Sequence, residues 1–378
     1  VFEQSIPELQ EALKSKSTTS RALVEAYLAR IRAYDADGPG LNAMIALNPH
    51  AIDEAAELDR ERPARAALGP LYGIPIVIKD NYETVDMPTT GGSIALAGFR
   101  PGRDAFLVRK LREAGAIVVG KTNLHELAAG ITTISSLGGQ TRNPYDPSRN
   151  PGGSSGGTGA AVAASFAAAG MGSDTCGSIR IPSANNNLFG LRGTLGLSSR
   201  SGIIPLSHTQ DIGGPLARTV TDLAIMLDAT VGPDAADPST AGAGVHIPRS
   251  YRDALDAGAL HGARIGVLQD GIGGPDDPDV AAVVTRMMDV LKGQGAELVN
   301  VPIPGLDDQL QGSSVIDAEF KFDLMDYLAQ FPAAPVHSLD DILARGGYDA
   351  ALEQTFRRRN AATARETDAY RRAMVKRH

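Results

Sequence analysis

The sequence predicts an α/β fold built on parallel strands. Three observations carry that prediction. Gly73-Ile-Pro-Ile-Val-Ile-Lys-Asp-Asn81 contains an unbroken apolar run, Ile74 to Ile78, as expected of a strand buried on both faces. Asp104 to Ala114 then places Phe106, Leu107 and Leu111 at helical spacing. Ala116-Ile-Val-Val119 is a second buried strand. Strand, helix, strand in that order reads as parallel α/β architecture.

The remaining elements follow in chain order. Ser5-Ile-Pro-Glu8 is a capping box with Pro in the first turn, opening a helix through Leu13. Thr18-Thr-Ser20 starts a second helix, with Leu23, Val24, Tyr27, Leu28 and Ile31 on one face; Asp37-Gly-Pro-Gly40 ends it. Met44 to Leu47 reads as a short strand and Ala51 to Arg60 as a helix. Residues 1–70 are therefore expected to form a helical cover without chemistry. Asn150-Pro-Gly-Gly-Ser-Ser-Gly-Gly-Thr-Gly159 is a glycine-rich turn with two adjacent serines, and Ala160 to Ala169 reads as a small-residue helix. Gly172-Ser-Asp-Thr-Cys-Gly-Ser-Ile-Arg180 is a second Gly/Ser turn. The chain is expected to stay loop-like from there through Pro215, then to form a helix over Thr219 to Leu227. Residues 233–248, rich in Pro, Ala, Gly and Asp, read as a linker-like loop. Residues 249–378 are again α/β: strands at Ala263–Leu268 and Ala296–Val301, helices at Asp279–Leu291, Ser314–Leu328 and Asp349–Val375. The basic residues Arg357 to Arg359, Arg365, Arg371, Arg372, Lys376 and Arg377 read as a solvated helix face.

Composition narrows the function. In 378 residues, 43% are hydrophobic but only 5% aromatic, so the core is aliphatic and alanine-rich. A net charge of −8 argues against a nucleic-acid partner. The lone cysteine forms no intrachain disulfide. No apolar run reaches the roughly 18 residues of a membrane span, and Val1-Phe-Glu-Gln carries no signal-peptide pattern. The expectation is a cytoplasmic protein without a membrane partner; a start other than Met leaves export through an already removed signal open.

Several constellations compete for the chemistry. Gly115-Ala-Ile-Val-Val-Gly-Lys-Thr122 satisfies the phosphate-loop pattern, but its inner residues read as the strand itself and not as a flexible anion nest. His125-Glu126 begins a zinc motif that Ala129 leaves without its second histidine, so no metal is expected. His125 reads as a surface or structural histidine. Cys176 is a nucleophile candidate, although single cysteines are more often buried and inert. Three polar residues remain in strand-end or turn settings: Lys79, Ser154 and Ser178. A serine hydroxyl needs a base, and lysine serves as one only when burial lowers its pKa from about 10.4. The alternative, a strand-end lysine reaching solvent, stays open on spacing alone.

Gly73-Ile-Pro-Ile-Val-Ile-Lys-Asp-Asn81, Gly152-Gly-Ser-Ser-Gly-Gly157, Asp174-Thr-Cys-Gly-Ser-Ile-Arg180 and Gln210-Asp-Ile-Gly-Gly-Pro215 with Ala217-Arg-Thr-Val220 together resemble the amidase signature family. The likeness runs from about Ser17 to Gly232, and residues 71–232 would be the catalytic signature core. The resemblance implies a three-layer α/β/α sandwich around a large mixed, mostly parallel sheet, in a single domain over 1–378. It implies a Ser-cisSer-Lys triad: Ser178 the acyl-forming nucleophile, Ser154 the bridge after a cis Gly153–Ser154 bond, and Lys79 the base. Backbone N–H groups over Thr175, Cys176, Gly177 and Ser178 would hold the oxyanion. Ala128 would contact substrate, Asp174 and Arg180 would support the turn, and Ser155 would be a neighbour outside the relay. The implied function is hydrolysis of carboxylic amides, peptide or small-molecule, without a cofactor; a homodimer is an open expectation.

This sequence departs from the family pattern at three places. Cys176 stands where glycine is usual, which would strain a turn requiring positive φ there. Ala184-Asn-Asn-Asn187 and Gly190-Leu-Arg-Gly-Thr194 differ from the usual blocks. Family members also run on past a point like His378, so the second α/β part is expected to be incomplete. Two alternatives stay open beside the amidase: one component of a glutamine-dependent amidotransferase, and an inactive scaffold on the same fold. Ser201-Gly-Ile-Ile-Pro-Leu-Ser-His208 looks more like the stand-alone amidases.

Overall fold

In the computed structural model of the chain, residues 1–62, 68–268 and 277–377 are described. By compactness they divide into two units: Val1–Ser250 with Val315–Thr367, and Tyr251–Ser314 with Asp368–His378. The expected second part, 249–378, is thus split between them.

The first unit opens with α1 (Ile6–Lys14), whose Ser5 and Glu8 form the expected capping box. Helix α2 (Ser20–Ile31) is capped by Thr19 and runs into a wider turn over Arg32–Ala36 before the glycines end it. Strand β1 (Met44–Leu47), α3 (Ala51–Glu61), β2 (Pro75–Lys79), α4 (Phe106–Glu113) and β3 (Ile117–Thr122) follow within a few residues of expectation. The phosphate-loop look-alike is this third strand. A two-residue hairpin, β4 (Ile134–Ser135) and β5 (Gly139–Gln140), leads to the serine-rich turn.

The structure corrects the reading from here to residue 217. The small-residue helix, α5, spans Gly156–Ala163, beginning within the glycine stretch. Ala169–Asp174 is a strand, β6, in place of the helix end and turn expected there. Glycine and alanine hid it: β6 lies at the middle of the sheet, where small side chains let α5 come close. The stretch expected as loop after Arg180 contains α6 (Arg180–Asn185), β7 (Phe189–Gly190) and β8 (Ile212–Ala217). Helix α7 (Val220–Thr230) completes this part.

The six-stranded sheet has the order β1-β3-β2-β6-β8-β7. Strands β3, β2 and β6 are parallel; β1, β8 and β7 each pair antiparallel with their neighbour. Helices cover both faces. On one, α1, α4 and α7 pack Leu9, Leu111 and Ile225 against Ile76, Ile78, Val118 and Met171. On the other, α2, α3 and α5 pack Val24, Ala55 and Val162 against Val77, Ile117 and Val119. Alternate residues of one strand go to opposite layers, as the period-two side-chain alternation requires. This is the expected three-layer α/β/α arrangement.

The second unit consists of β9 (Arg264–Val267), α8 (Pro278–Gly293) and β10 (Glu297–Asn300), a parallel pair with its crossover helix, together with α9 (Leu306–Leu310). The first unit resumes with α10 (Ile316–Ala329), α11 (Leu339–Arg345) and α12 (Glu353–Asn360). The last helix, α13 (Asp368–Arg377), belongs to the second unit. The long helix expected over Asp349–Val375 is therefore two helices, and α11 went unforeseen. Nor is its basic face uniformly solvated: Arg358 and Arg359 both reach Asp317, and Arg365 reaches Asp323 and Asp326. No helix among the described residues is long and apolar enough to cross a membrane.

Candidate active site

Lys79 ends β2 at the carboxyl edge of the parallel strands, where open α/β sheets place their ligands. It is completely buried. Its Nζ donates to Ser154 Oγ at 2.7 Å, to Ser173 Oγ at 2.9 Å and to the Ser173 carbonyl at 3.4 Å. Burial pulls its pKa down to about 7, against the opposing charges of Asp174 and Asp211. The solvent-reaching alternative for this lysine is excluded by that burial.

The turn before α5 supplies Ser154 and Ser155. The Gly153–Ser154 peptide is cis. The Ser154 carbonyl accepts the His125 N–H at 3.0 Å, fixing the turn against the segment after β3. Ser155 faces elsewhere: its Oγ donates to the Ser173 carbonyl at 3.1 Å and accepts the Ser173 N–H at 3.2 Å. Its own N–H donates to the Ser178 carbonyl at 3.2 Å, tying the two serine turns together. Among the described residues no hydrogen bond joins the Ser154 and Ser178 hydroxyls.

Asp174 shapes the second turn. It is buried, and accepts the Gly177 N–H at 2.7 Å and the Ile179 N–H at 3.0 Å. Arg180 and Arg192 pair with the same carboxylate. Burial pushes the carboxyl up, but Arg180 and the backbone donors outweigh it and hold the pKa below the usual range. Two expectations about this turn change. The positive φ falls on Gly177, at +136°, and not on Cys176, so cysteine is accommodated without strain. The Gly177 N–H is engaged by Asp174, whereas among the described residues the N–H groups of Thr175, Cys176 and Ser178 show no acceptor. Cys176 is exposed as a residue, yet partial desolvation of its thiol first, with Asp174 adding, raises its pKa, which does not favour a thiolate nucleophile.

Three further residues belong to this constellation and were not singled out in the sequence. Ser173, on the unforeseen β6, holds Lys79. Asn81 donates to Ser173 Oγ at 3.0 Å. Asp211 accepts the Thr175 hydroxyl at 2.5 Å, and the Leu206 and Ser207 N–H groups at 2.8 and 3.0 Å. Its burial pushes the carboxyl up to about 6, against the lowering hydrogen bond from Thr175. The blocks containing Asn81 and Asp211 were visible, but only the folded chain shows which side chains turn inward. His125 is buried and not on the surface; desolvation first, with Lys79 and Arg359 adding, drops its pKa to about 4 despite Asp349. It is neutral at pH 7, and its Nδ1 accepts the Thr132 N–H at 3.2 Å. Ala128 is buried with φ +57°, in an apolar cluster with Ile204, Ile316 and Phe320.

His208, Glu319 and Asp323 bring ligand atoms within 4.8 Å of one another. Their acceptors are already engaged: Glu319 by the Ser207 and Thr209 hydroxyls, Asp323 by His208 and Arg365. This group ties the loop before β8 to α10.

The sheet thus carries helices on both faces, and at the carboxyl edge of its parallel strands the buried Lys79 meets Ser154 of the first serine turn and Ser173 of β6. The Amidase family model matches residues 22–378, and the chain belongs to the amidase signature family. It is similar to the peptide amidase of Stenotrophomonas maltophilia (40% identity, TM-score 0.90), covering 99% of this chain and 78% of that one. A peptide amidase structure in complex with the competitive inhibitor chymostatin matches with TM-score 0.91 at 40% identity, over the same shares. Among curated relatives, a glutamyl-tRNA(Gln) amidotransferase component of Halorhodospira halophila is 39% identical over 84% of this chain. A probable amidase of Arabidopsis thaliana is 36% identical over 91%. The chain spans 64% and 68% of the lengths of these two relatives.

Proposed function

We propose that the chain is the catalytic part of an amidase, hydrolysing carboxylic amide C–N bonds through an acyl-enzyme on Ser178. The observation that carries this is Lys79: fully buried, with a pKa near 7, and 2.7 Å from Ser154. Near neutral pH a large fraction of the amine is unprotonated and takes a proton from Ser154 as Ser154 takes one from Ser178. Ser178 Oγ attacks the amide carbon, forming the C–O bond. The developing oxyanion is met by N–H groups of the Thr175–Ser178 turn, at their strongest where water is excluded. The same relay returns the proton to the nitrogen as the C–N bond breaks and the amine departs. Water, deprotonated by the relay, then cleaves the ester and regenerates Ser178. Ser173 and Asn81 hold the amine in place, and Asp174 and Asp211 hold the turn.

The likeness to peptide amidases over nearly the whole chain supports a peptide or comparably small amide as substrate. A second reading is glutamine hydrolysis within an amidotransferase, supported by several glutamyl-tRNA(Gln) amidotransferase relatives at 39–43% identity. A fluorophosphonate probe tests the first step: it should label Ser178, and Ser178→Ala should abolish labelling. Label on Cys176, or label persisting in that variant, overturns the assignment. Turnover of peptide amides by the protein alone, set against glutaminase activity that appears only with co-purified partners, separates the two readings.

A further inference from the structure

Arg192 and Gln210 stand beside the second serine turn without a part in the proton relay. Arg192 lies in Gly190-Leu-Arg-Gly-Thr194, one of the blocks that depart from the family pattern. Strand β8 fixes the backbone there: the Leu191 N–H donates to the Pro215 carbonyl at 3.2 Å, and a Cβ on Gly214 would stand 2.3 Å from the Leu191 carbonyl oxygen. From this position the guanidinium reaches the turn. Its Nη1 donates to the Asp174 carbonyl and, at 3.1 Å, to Asp174 Oδ1; its Nη2 donates to the Gln210 carbonyl at 2.8 Å. Gln210 is buried, and its side chain bridges two backbone groups. Oε1 accepts the N–H of Val315, the residue before α10, at 3.2 Å, which leaves Nε2 to donate to the Thr175 carbonyl at 3.4 Å.

These contacts bear on two N–H groups of the turn. In a trans peptide the carbonyl of one residue and the N–H of the next point in opposite directions. The Asp174–Thr175 and Thr175–Cys176 peptides are both trans. Holding the Asp174 carbonyl on Arg192 therefore fixes the direction of the Thr175 N–H, and holding the Thr175 carbonyl on Gln210 fixes that of the Cys176 N–H. Arg192 and Gln210 touch each other, so both carbonyls are held from one side. The two successive N–H groups turn to the other side, the arrangement of an anion nest.

We propose that Arg192 and Gln210 are positioning residues for amide hydrolysis: they hold the Thr175 and Cys176 N–H groups on the oxygen that develops negative charge, and so act on the transition state and not on substrate binding. This rests on the amidase reading of the same site. The planar guanidinium fork serves two carbonyls and a carboxylate together, which a lysine ammonium on its flexible stem does with less order.

The chain has one cysteine, so isotope-labelled cysteine gives a single amide resonance, that of Cys176. A peptide boronic acid bonds through boron to Ser178 Oγ and places a hydroxyl where the oxyanion forms. In the parent protein the Cys176 amide proton should move downfield when this adduct forms. In Gln210→Glu, which keeps an acceptor for Val315 and removes the donor to Thr175, the shift should shrink, and kcat should fall about 10- to 100-fold with KM held within about 2-fold. Gln210→Met removes the same donor without a buried charge and gives the same comparison if Gln210→Glu fails to fold. Arg192→Met should lower kcat similarly, and Arg192→Lys should restore part of it. An amide proton that does not move in the parent adduct overturns the proposal, as does a Gln210 variant with the parent's shift and kcat. A fall in kcat with a matching rise in KM and an unchanged shift marks a general loosening of the fold and also overturns it. A parent protein that neither binds the boronic acid nor labels at Ser178 would instead sink the amidase reading.

Discussion

Lys79 is a base only when neutral, and its surroundings decide when that is. With burial lowering its pKa to about 7, kcat/KM should rise with pH through an apparent pKa near 7 and level off above it. A profile that falls over that range would exclude an unprotonated amine as the base. Lys79→Met should lower turnover by about 10²- to 10⁴-fold, the usual weight of a general base. Asp211 acts at one remove. It holds the Thr175 side chain and two backbone N–H groups of the 206–207 segment, so Asp211→Asn loses part of an anchor rather than a reacting group. The rate of Ser178 labelling should drop about 10- to 100-fold, as small misplacements of reacting atoms do. A normal labelling rate would remove Asp211 from the site.

At the scale of elements, α5 and β6 together make the site. Helix α5 begins at Gly156, directly after Ser154 and Ser155, and carries no side chain larger than valine. Its glycines let it sit on the strand ends. A Cβ on Gly157 would lie 2.1 Å from the Asn123 carbonyl oxygen and 2.8 Å from that of Ala43, both backbone atoms. Gly157→Ala should therefore destabilise the fold by about 1–3 kcal/mol in urea unfolding, with Ser154 displaced and activity lost. Gly242→Ala, where a Cβ meets nothing within 4 Å, should stay within about 0.5 kcal/mol of the parent. Strand β6 was not legible in the sequence because Ala169-Gly-Met-Gly-Ser-Asp174 lacks the branched and aromatic residues that mark strands. It is a strand because β2 and β8 supply ladder partners on either side. The same holds for β8, whose Gly213-Gly214-Pro215 reads locally as a turn. By contrast β2, β3, α1 and α2 were legible, since apolar run, helical spacing and cap residues each agreed with the tertiary fold.

For the whole molecule, the buried lysine has a cost that pH reveals. Folded Lys79 releases its proton above about 7, while in the unfolded chain it holds that proton to near its ordinary value of 10.5. Between these values the unfolded state binds more protons, so stability rises with pH across that window and the Lys79 penalty is complete below about 7. The stability of Lys79→Met relative to the parent should therefore grow as pH falls from about 10 to 7, then stay constant, as followed by urea midpoints. A difference that does not vary over that range would mean that Lys79 keeps an ordinary pKa. Legible from the residues alone are the α/β class, the helical N-terminal cover, and the four motif blocks whose order and spacing resemble the amidase signature family. These depend on local periodicity, capping and glycine content, which are written residue by residue. The company each polar residue keeps is settled only by folding. Ser173 beside Lys79, Asp211 beneath Thr175, the Gly177 N–H engaged by Asp174, and Arg359 drawn from a basic helix onto Phe320 all depend on burial and on partners distant in the chain. Burial sets the lysine's charge, and no local pattern of residues encodes how deeply a strand end will be buried.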